Sequence, residues 1–440
     1  MNPSQGSQPP RHPRRGNWQL MADINRNLVV NVLRTSPVMS RAGLTRATGL
    51  SGPTVSSIVA DLTSRGLVED LGQGLSSGGR PPFLVRLNDK ANYVVGLKLM
   101  GHAISLVITD LRATVIYAQV TPLVGPAAVI PDQTARPVAP RDPGPIIEAI
   151  CAAVETAISA SGIDDGLILG VGVGINGPVD ARSGVCRLSP TFNWKNVSLA
   201  RPISEKLGHP VVLENDSNTL AAAEQWFGLG IGVDTFIAVA VGAGIGAGVV
   251  VNGQLHRGAG GAAGEFGHVQ LTDTGPVCSC GRVGCVEAWA SDRAILRDVY
   301  AALGEGRQSS LAPAAARGDL TIAGVTAAAE EGDELSRQVL SQAGHYLGRG
   351  IATLATVIDP RLVIISGEGV QAGHWRFDSM LKAIEASVFG GIDAEVIFTP
   401  EPLDDARWAR GAASVVLGEI FNTPTQPSLF KSKVGLTGSS

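Results

Sequence analysis

His268, Cys278, Cys280 and Cys285 fall in the spacing H-x9-C-x-C-x4-C. One imidazole and three thiols make the donor set that zinc favours, four soft or borderline ligands around a tetrahedron. A closed set of four protein ligands is structural, because no position is left for water or substrate. Gly275, Gly281 and Gly284 stand between the ligands, where a tight knuckle needs unusual backbone angles. A disulfide explains the set less well, since three thiols leave one unpaired. Scattered buried thiols would not place three of the chain's five cysteines in so short a window. Two carboxylates flank the knot, Glu265 before His268 and Glu287 after Cys285. Either alone reads as a solvated surface group. Beside a loop pinned by metal, both read as polar groups aimed at a ligand.

E-x-G-H at Glu265 to His268, followed by C-x-C-G-x-x-G-C-x-E at Cys278 to Glu287, resembles the signature of the ROK family (repressor, open reading frame, kinase). The resemblance implies that His268 and the three cysteines hold a structural zinc. It also implies that Glu265, His268 and Glu287 face a sugar, with His268 serving metal and sugar through different ring nitrogens. The implied body is an α/β, two-lobed actin-like (ribonuclease H-like) ATPase or sugar-kinase fold. An apolar strand over 168–175 ends in Asn176-Gly177-Pro178-Val179-Asp180, similar to a family segment whose glycine backbone lies near the sugar. Glu214-Asn215-Asp216-Ser217-Asn218 matches E-N-D-x-N, and in family kinases the aspartate at this place is the general base on the sugar hydroxyl. From residues alone, a carboxylate at a strand end beside a helix N-terminus either binds a hydroxyl or caps the helix. By resemblance, Gly177, Asn215 and Asp216 join Glu265, His268 and Glu287 as sugar ligands. Thr191 stands before Trp194 where the family often has an asparagine that touches a sugar hydroxyl, a departure that bears on ligand preference.

Two phosphate motifs also depart from the family's kinases. The D-x-G-x-T type of loop corresponds to Gly96-Leu97-Lys98-Leu99-Met100-Gly101-His102, with Lys98 where the aspartate belongs. The glycine-rich run from Val241 to Gly248 has Ala243 where a threonine would meet phosphate. Phosphoryl transfer rests on positioning and electrostatics, so losing both contacts argues against ATP use. The expectation is no catalytic residue, with Asp216 as a vestigial general-base position.

The elements that position these residues follow from composition and periodicity. A chain of 440 residues with 44% hydrophobic content supports two or three domains with sizeable cores. Residues 1–90 carry 11 Lys and Arg against 5 Asp and Glu, whereas the remainder is acidic. A basic head on an acidic body points to nucleic acid at one end. The polar, Pro-rich start shows no signal peptide, and the uncharged run from Thr235 to Leu255 reads as strands and a turn; a cytoplasmic protein with no membrane partner is expected.

Residues 1–16 read as a disordered basic arm, and 17–90 as a winged helix-turn-helix DNA-binding domain. A helical pattern begins at Ile24, with Ile24, Leu28, Val32 and Leu33 on one face, and ends at Ser36-Pro37. Ser40 caps a short second helix, and Ser51 caps a third with Pro53 in its first turn. Val55, Ile58, Val59 and Leu62 face inward on that helix. Ser51, Thr54, Ser56 and Ser57 are left to meet DNA in a major groove. A hairpin from Gly66 to Leu87 forms the wing, whose Gly78-Gly79-Arg80-Pro81-Pro82 carries Arg80 toward a minor groove. This head resembles those of ROK-type repressors.

In the body, 91–213 reads as the small lobe, joined by a returning helix at about 406–421, and 214–405 as the large lobe with the zinc knot. Seven prolines between Pro122 and Pro145 read as an exposed loop, after which a helix starts at Ile146. Residues 422–440 read as a tail. The favoured function is a sugar-responsive transcriptional regulator, a repressor, that binds a double-stranded operator as a homodimer or homotetramer. Its effector is a monosaccharide or short oligosaccharide. The alternative is an ATP-dependent sugar kinase with a DNA-binding head.

Overall fold

The computed structural model describes residues 18–74, 81–123, 140–399 and 404–421. The expected basic arm 1–16, wing-tip Arg80, most of the Pro-rich stretch and the tail 422–440 lie outside these residues. The chain divides into two compact units, one running to Ala91 and taking in the chain from Glu419, the other Asn92–Gly418.

The first unit holds α1 (Trp18–Thr35), α2 (Arg41–Thr48) and α3 (Gly52–Ser64), with β1 (Met39–Ser40), β2 (Val68–Gln73) and β3 (Phe83–Leu87) in the antiparallel order β1-β3-β2. Capping follows the hydroxyls: Ser40 Oγ accepts from the Gly43 N–H at 2.9 Å and Ser51 Oγ from the Thr54 N–H at 3.3 Å. Helix α1 starts six residues before Ile24, and its stripe is rotated from the expected one. Val29, Val30 and Leu33 are buried, while Leu28 is exposed. The cause is polar: Asp23 and Asn27 share the buried face, and Asp23 is paired with Arg26 at 3.0 Å. A search for apolar periodicity passes over such residues. Strand β1 was not foreseen; two residues give no periodic signal.

The second unit opens with the antiparallel meander β4 (Tyr93–Leu99), β5 (Ala103–Thr109) and β6 (Val115–Pro122). Helix α4 (Pro143–Ser161) crosses back, and β7 (Ile168–Ile175) pairs parallel with β4. A small sheet of β8 (Val179–Asp180), β9 (Val185–Ser189) and β10 (Trp194–Ser198) precedes α5 (Ala200–Leu207) and β11 (Val211–Asn215), which completes the order β11-β7-β4-β5-β6. After α6 (Asp216–Phe227) the plan repeats. A second meander comprises β12 (Phe236–Val241), β13 (Ile245–Val251) and β14 (Gln254–Leu255). The helices α7 (Val286–Ala290), α8 (Asp292–Gly304), α9 (Ala312–Arg317), α10 (Ile322–Glu330) and α11 (Glu334–Ile358) follow. Then β15 (Leu362–Ser366) pairs parallel with β12, and β16 (Glu395–Phe398), after α12 (Gly373–Ser387), pairs parallel with β15. Two sheets built on one plan give the two-lobed, actin-like architecture.

Helix α4 begins three residues before the expected Ile146. Asp142 caps it, and Pro143 and Pro145 lie in its first turn, where a proline loses no hydrogen bond. Proline read as a loop signal therefore set the boundary too late. Among the described residues this helix alone is long and apolar enough to cross a membrane, yet Ile150 and Val154 join Leu97 and Ile104 in the core of the first lobe.

The closing helix α13 (Asp405–Phe421) packs on the first sheet by backbone contact. A Cβ at Gly96 would collide with the Ala409 carbonyl, and one at Gly172 with the Ala412 carbonyl. Gly411 presses in the same way on the Thr219 carbonyl of α6.

Asp333 caps α11 and ties it to the preceding loop. It accepts from Ser336 N–H and Oγ at 2.8 Å each, and from Ser310 N–H at 2.7 Å and Oγ at 3.2 Å. Burial pushes its carboxyl up, but these bonds outweigh it and hold the group at about 2. Its stabilising contribution is full above the ordinary aspartate range of about 4 and disappears as pH falls toward 2. Asp333→Ala is expected to cost about 1–2 kcal/mol at pH 7 by chemical denaturation, with the difference from parent shrinking in acid.

Candidate ligand and metal site

The knot hangs between a single 3₁₀ turn, Phe266–His268, and the first turn of α7. Isolated bridges Gln270↔Cys285 and Val277↔Val283 fold it back on itself. The donor atoms of His268, Cys278, Cys280 and Cys285 all lie within 4.8 Å of one another. Cys280 Sγ and Cys285 Sγ are 3.8 Å apart, and Cys278 Sγ and His268 Nδ1 are 3.4 Å apart. Zinc bonds of about 2.3 Å to sulfur and about 2.0–2.1 Å to nitrogen give tetrahedral edges of about 3.8 and 3.6 Å. These separations fit that ion, and the donor set is the one it prefers. All three cysteines are unpaired by disulfide; Cys278 and Cys285 are buried and Cys280 is exposed.

The charges of the knot are unequal. A hydrogen bond donated to Cys278 Sγ raises His268 to about 9. Burial opposes ionisation of Cys278, but the His268 bond prevails and brings the thiol down to about 6. Burial lifts Cys285 to about 12. Ionising Cys285 therefore needs a cation beside it, which a divalent metal supplies when bound.

His268 turns Nδ1 to the knot, while its Nε2 lies 3.9 Å from Glu265 Oε2. The two ring nitrogens thus point to different surroundings. Glu265 is raised by burial; His268 pulls it back, while Asp216 and Glu287 push it further up. Two carboxylates from other segments, Asp216 and Glu287, thus act on Glu265 together with His268. Asp216, at the first turn of α6, is raised by burial, with Lys98 pulling it down and Glu368 pushing it up. One of its oxygens accepts from the Ser217 N–H at 2.8 Å. Half-buried carboxylates of raised affinity for protons, such as Asp216 and Glu265, are chemically suited to binding hydroxyl groups.

The other expected ligands have structural duties. Asn215 caps α6 through Oδ1, accepting from Asn218 N–H at 3.2 Å, and its Nδ2 donates to the Gly177 carbonyl at 3.0 Å. Gly177, at φ 98°, is bound to be glycine, since a Cβ there would meet the Leu188 carbonyl. Glu287 accepts the Ile245 N–H at 3.1 Å and the Ser279 hydroxyl at 3.0 Å. It thereby clamps the glycine-rich hairpin to the knot. Thr191 donates to Asn176 Oδ1 at 3.1 Å.

Lys98 is engaged by the closing helix α13. Its Nζ lies 3.4 Å from Asp405 Oδ1 and 4.5 Å from the Trp408 ring centre, both on α13. At the hairpin, the Glu368 carboxylate lies close to Gly242 beside Ala243. A lysine tied to aspartate and tryptophan, and an anion beside the second loop, are poorly suited to a nucleotide's phosphates.

In the first unit, Ser56 and Ser57 are exposed on α3, whereas Ser51 and Thr54 bond one another at 2.8 Å through their hydroxyls. Arg80 lies outside the described residues. Arg46, exposed on α2, escaped the sequence reading because a lone arginine on a short helix carries no spacing signal. Arg257 escaped likewise; it pairs with Glu214, a residue quoted only as part of a motif.

The ROK family model matches residues 129–419. The xylose repressor of Caldicellulosiruptor bescii is 27% identical over 409 residues, covering 93% of this chain and 99% of that protein. The DNA-binding transcriptional dual regulator NagC of Escherichia coli (strain K12) is 28% identical over 407 residues, covering 92% and 95%. A crystal structure of a ROK family transcriptional regulator, described as a homologue of the E. coli MLC protein, shares the fold at a TM-score of 0.78 and 24% identity, covering 94% of this chain and 99% of that one.

Proposed function

This chain belongs to the ROK family, and from that premise we propose that it is a sugar-responsive transcriptional repressor without kinase activity. One observation carries the reading. The likeness to relatives named as a xylose repressor and as a DNA-binding transcriptional dual regulator spans 92–93% of the chain, so it takes in the N-terminal unit as well as the body. We read that unit as a winged helix-turn-helix, with α3 entering the major groove and the β2–β3 hairpin as wing. Ser51, Thr54, Ser56 and Ser57 lie at the groove-facing start of α3, and Arg80 acts at the wing tip.

The body is the sensor. Asp216, Glu265 and His268 bind hydroxyls of a monosaccharide or short oligosaccharide, supported by Gly177, Asn215 and Glu287. His268, Cys278, Cys280 and Cys285 hold a structural zinc that fixes the segments carrying Glu265 and Glu287 around it. The effector shifts DNA affinity only to the extent that it binds one lobe arrangement better than the other. A homodimer on a two-fold operator matches the head geometry, and the protein works in the cytoplasm.

Fluorescence anisotropy with the chain's own promoter region against random DNA, with and without D-xylose, D-glucose and N-acetyl-D-glucosamine, tests this reading. Equal affinity for both DNAs overturns it. The retained Asp216 favours a second reading, a sugar kinase; ATP turnover that vanishes in Asp216→Asn would establish it. Arg46→Ala is expected to weaken binding to all sequences alike and to reduce the slope of log affinity against log salt by about 1, as loss of one phosphate contact does.

A further inference from the structure

Glu214 is 1% exposed at the end of β11. Its Oε1 accepts from the Asn215 N–H at 3.0 Å and from Asn218 Nδ2 at 2.9 Å, and its Oε2 accepts from Arg257 Nε at 2.5 Å. A carboxylate so deeply placed needs a cation with good geometry, and removing that cation alone is far more damaging than removing the pair. Arg257 comes from the opposite lobe. It follows β14 of the second sheet and begins the loop that runs to Glu265, whereas Glu214 ends a strand of the first sheet.

The same loop is docked on the first lobe at two further points. Arg182 donates to the Ala259 carbonyl at 3.2 Å. Gly261, at φ 78°, lies so close to the Val179 carbonyl that a Cβ would collide with it. At its far end Gly264, at φ 85°, returns the chain to the second lobe against the Ala247 carbonyl. Glu265 and His268 follow at once. Nothing in the loop's own sequence places these two residues opposite Asp216; the docking does.

We propose that residues 257–264 form a strap between the lobes and that Arg257, through its ion pair with Glu214, is a positioning residue for the hydroxyl-binding site. It touches no ligand. It sets the distance between the Glu265–His268 side of the site and the Asp216 side, and it neutralises a carboxylate two residues from Asp216. The strap rests on the sugar-site reading only for its consequence on binding, not for its existence.

Hydrogen exchange by mass spectrometry on the full, metal-loaded chain tests the strap without any ligand. Arg257→Gln is expected to speed exchange in peptides spanning 257–266 by about tenfold or more, with metal content unchanged. Arg257→Lys keeps the charge and is expected to recover part of the protection. Glu214→Gln combined with Arg257→Gln removes the unpaired charge and is expected to lie within about threefold of parent, a coupling that a merely space-filling arginine would not show. Unchanged exchange in Arg257→Gln, or a double variant worse than the single, overturns the strap. A second arm titrates D-xylose and N-acetyl-D-glucosamine into the parent and the variants, with about tenfold weaker binding expected for Arg257→Gln. Equal binding in parent and Arg257→Gln overturns the positioning role. A parent that binds neither sugar counts against the sugar-site reading and leaves the exchange result to decide the strap.

Discussion

Cys280→Ser is expected to abolish metal binding and effector response together while leaving the chain folded. Cys280 is the exposed donor of the cluster, whereas Cys278 and Cys285 are buried, so serine at 280 disturbs no core packing. What remains is one imidazole and two thiols, of which burial holds Cys285 up at about 12. Without a fourth donor, these groups lose most of an interaction worth on the order of 10 kcal/mol in small zinc peptides. Elemental analysis should fall from one metal ion per chain to near none. The melting temperature should fall by roughly 10–20 °C, since each kcal/mol moves a unit of this size by about two degrees. His268 Nδ1 then has no metal to orient it, and Nε2 is free to turn from Glu265. A variant that keeps its metal removes the four-ligand assignment; one that loses metal yet keeps the sugar response separates the knot from the sensor.

Asp216→Asn is expected to raise stability while destroying the response. Burial raises the carboxyl of Asp216, so its ionised form is disfavoured in the folded chain. A raised carboxyl contributes stability that is full below the ordinary aspartate range and is lost as pH rises through the folded value. At pH 7 the charge is therefore a cost that asparagine removes, and the gain in melting temperature should shrink in acid. The same substitution replaces a charge-assisted acceptor by a neutral one, worth about 2–3 kcal/mol, or roughly 30- to 150-fold in effector affinity. Stability gained with function lost is the signature of a group retained for its ligand. Asparagine that lowers stability and leaves binding intact would reduce Asp216 to a helix-terminal residue.

The clustering of His268 with the three cysteines was readable in the sequence because the four donors are near neighbours there and of the types a metal favours. The starts of α2 and α3 were readable because Ser40, Ser51 and Pro53 are local signals. The departures at Lys98 and Ala243 showed only against a family pattern. What was hidden is long-range or small. Lys98 meets Asp405 and Arg257 meets Glu214 across sequence separations of 307 and 43 residues, and neither pair has a spacing rule. The two-residue strands β1, β8 and β14 and the short helix α9 carry too few residues to show a period. The start of α4 was hidden for the opposite reason: proline has two meanings, and the loop meaning was chosen. In α1 two buried polar residues broke the apolar pattern that would have located its inner face.

The seat of α13 has a mechanical consequence. Thr219, whose carbonyl presses on Gly411, lies one turn beyond Asp216 and bonds back to the Asp216 carbonyl at 2.7 Å. Where two main chains meet with no side chain interposed, no rotamer is available to absorb a displacement. Any displacement of the start of α6 must then shift α6 and α13 as one piece, like meshed gears without backlash.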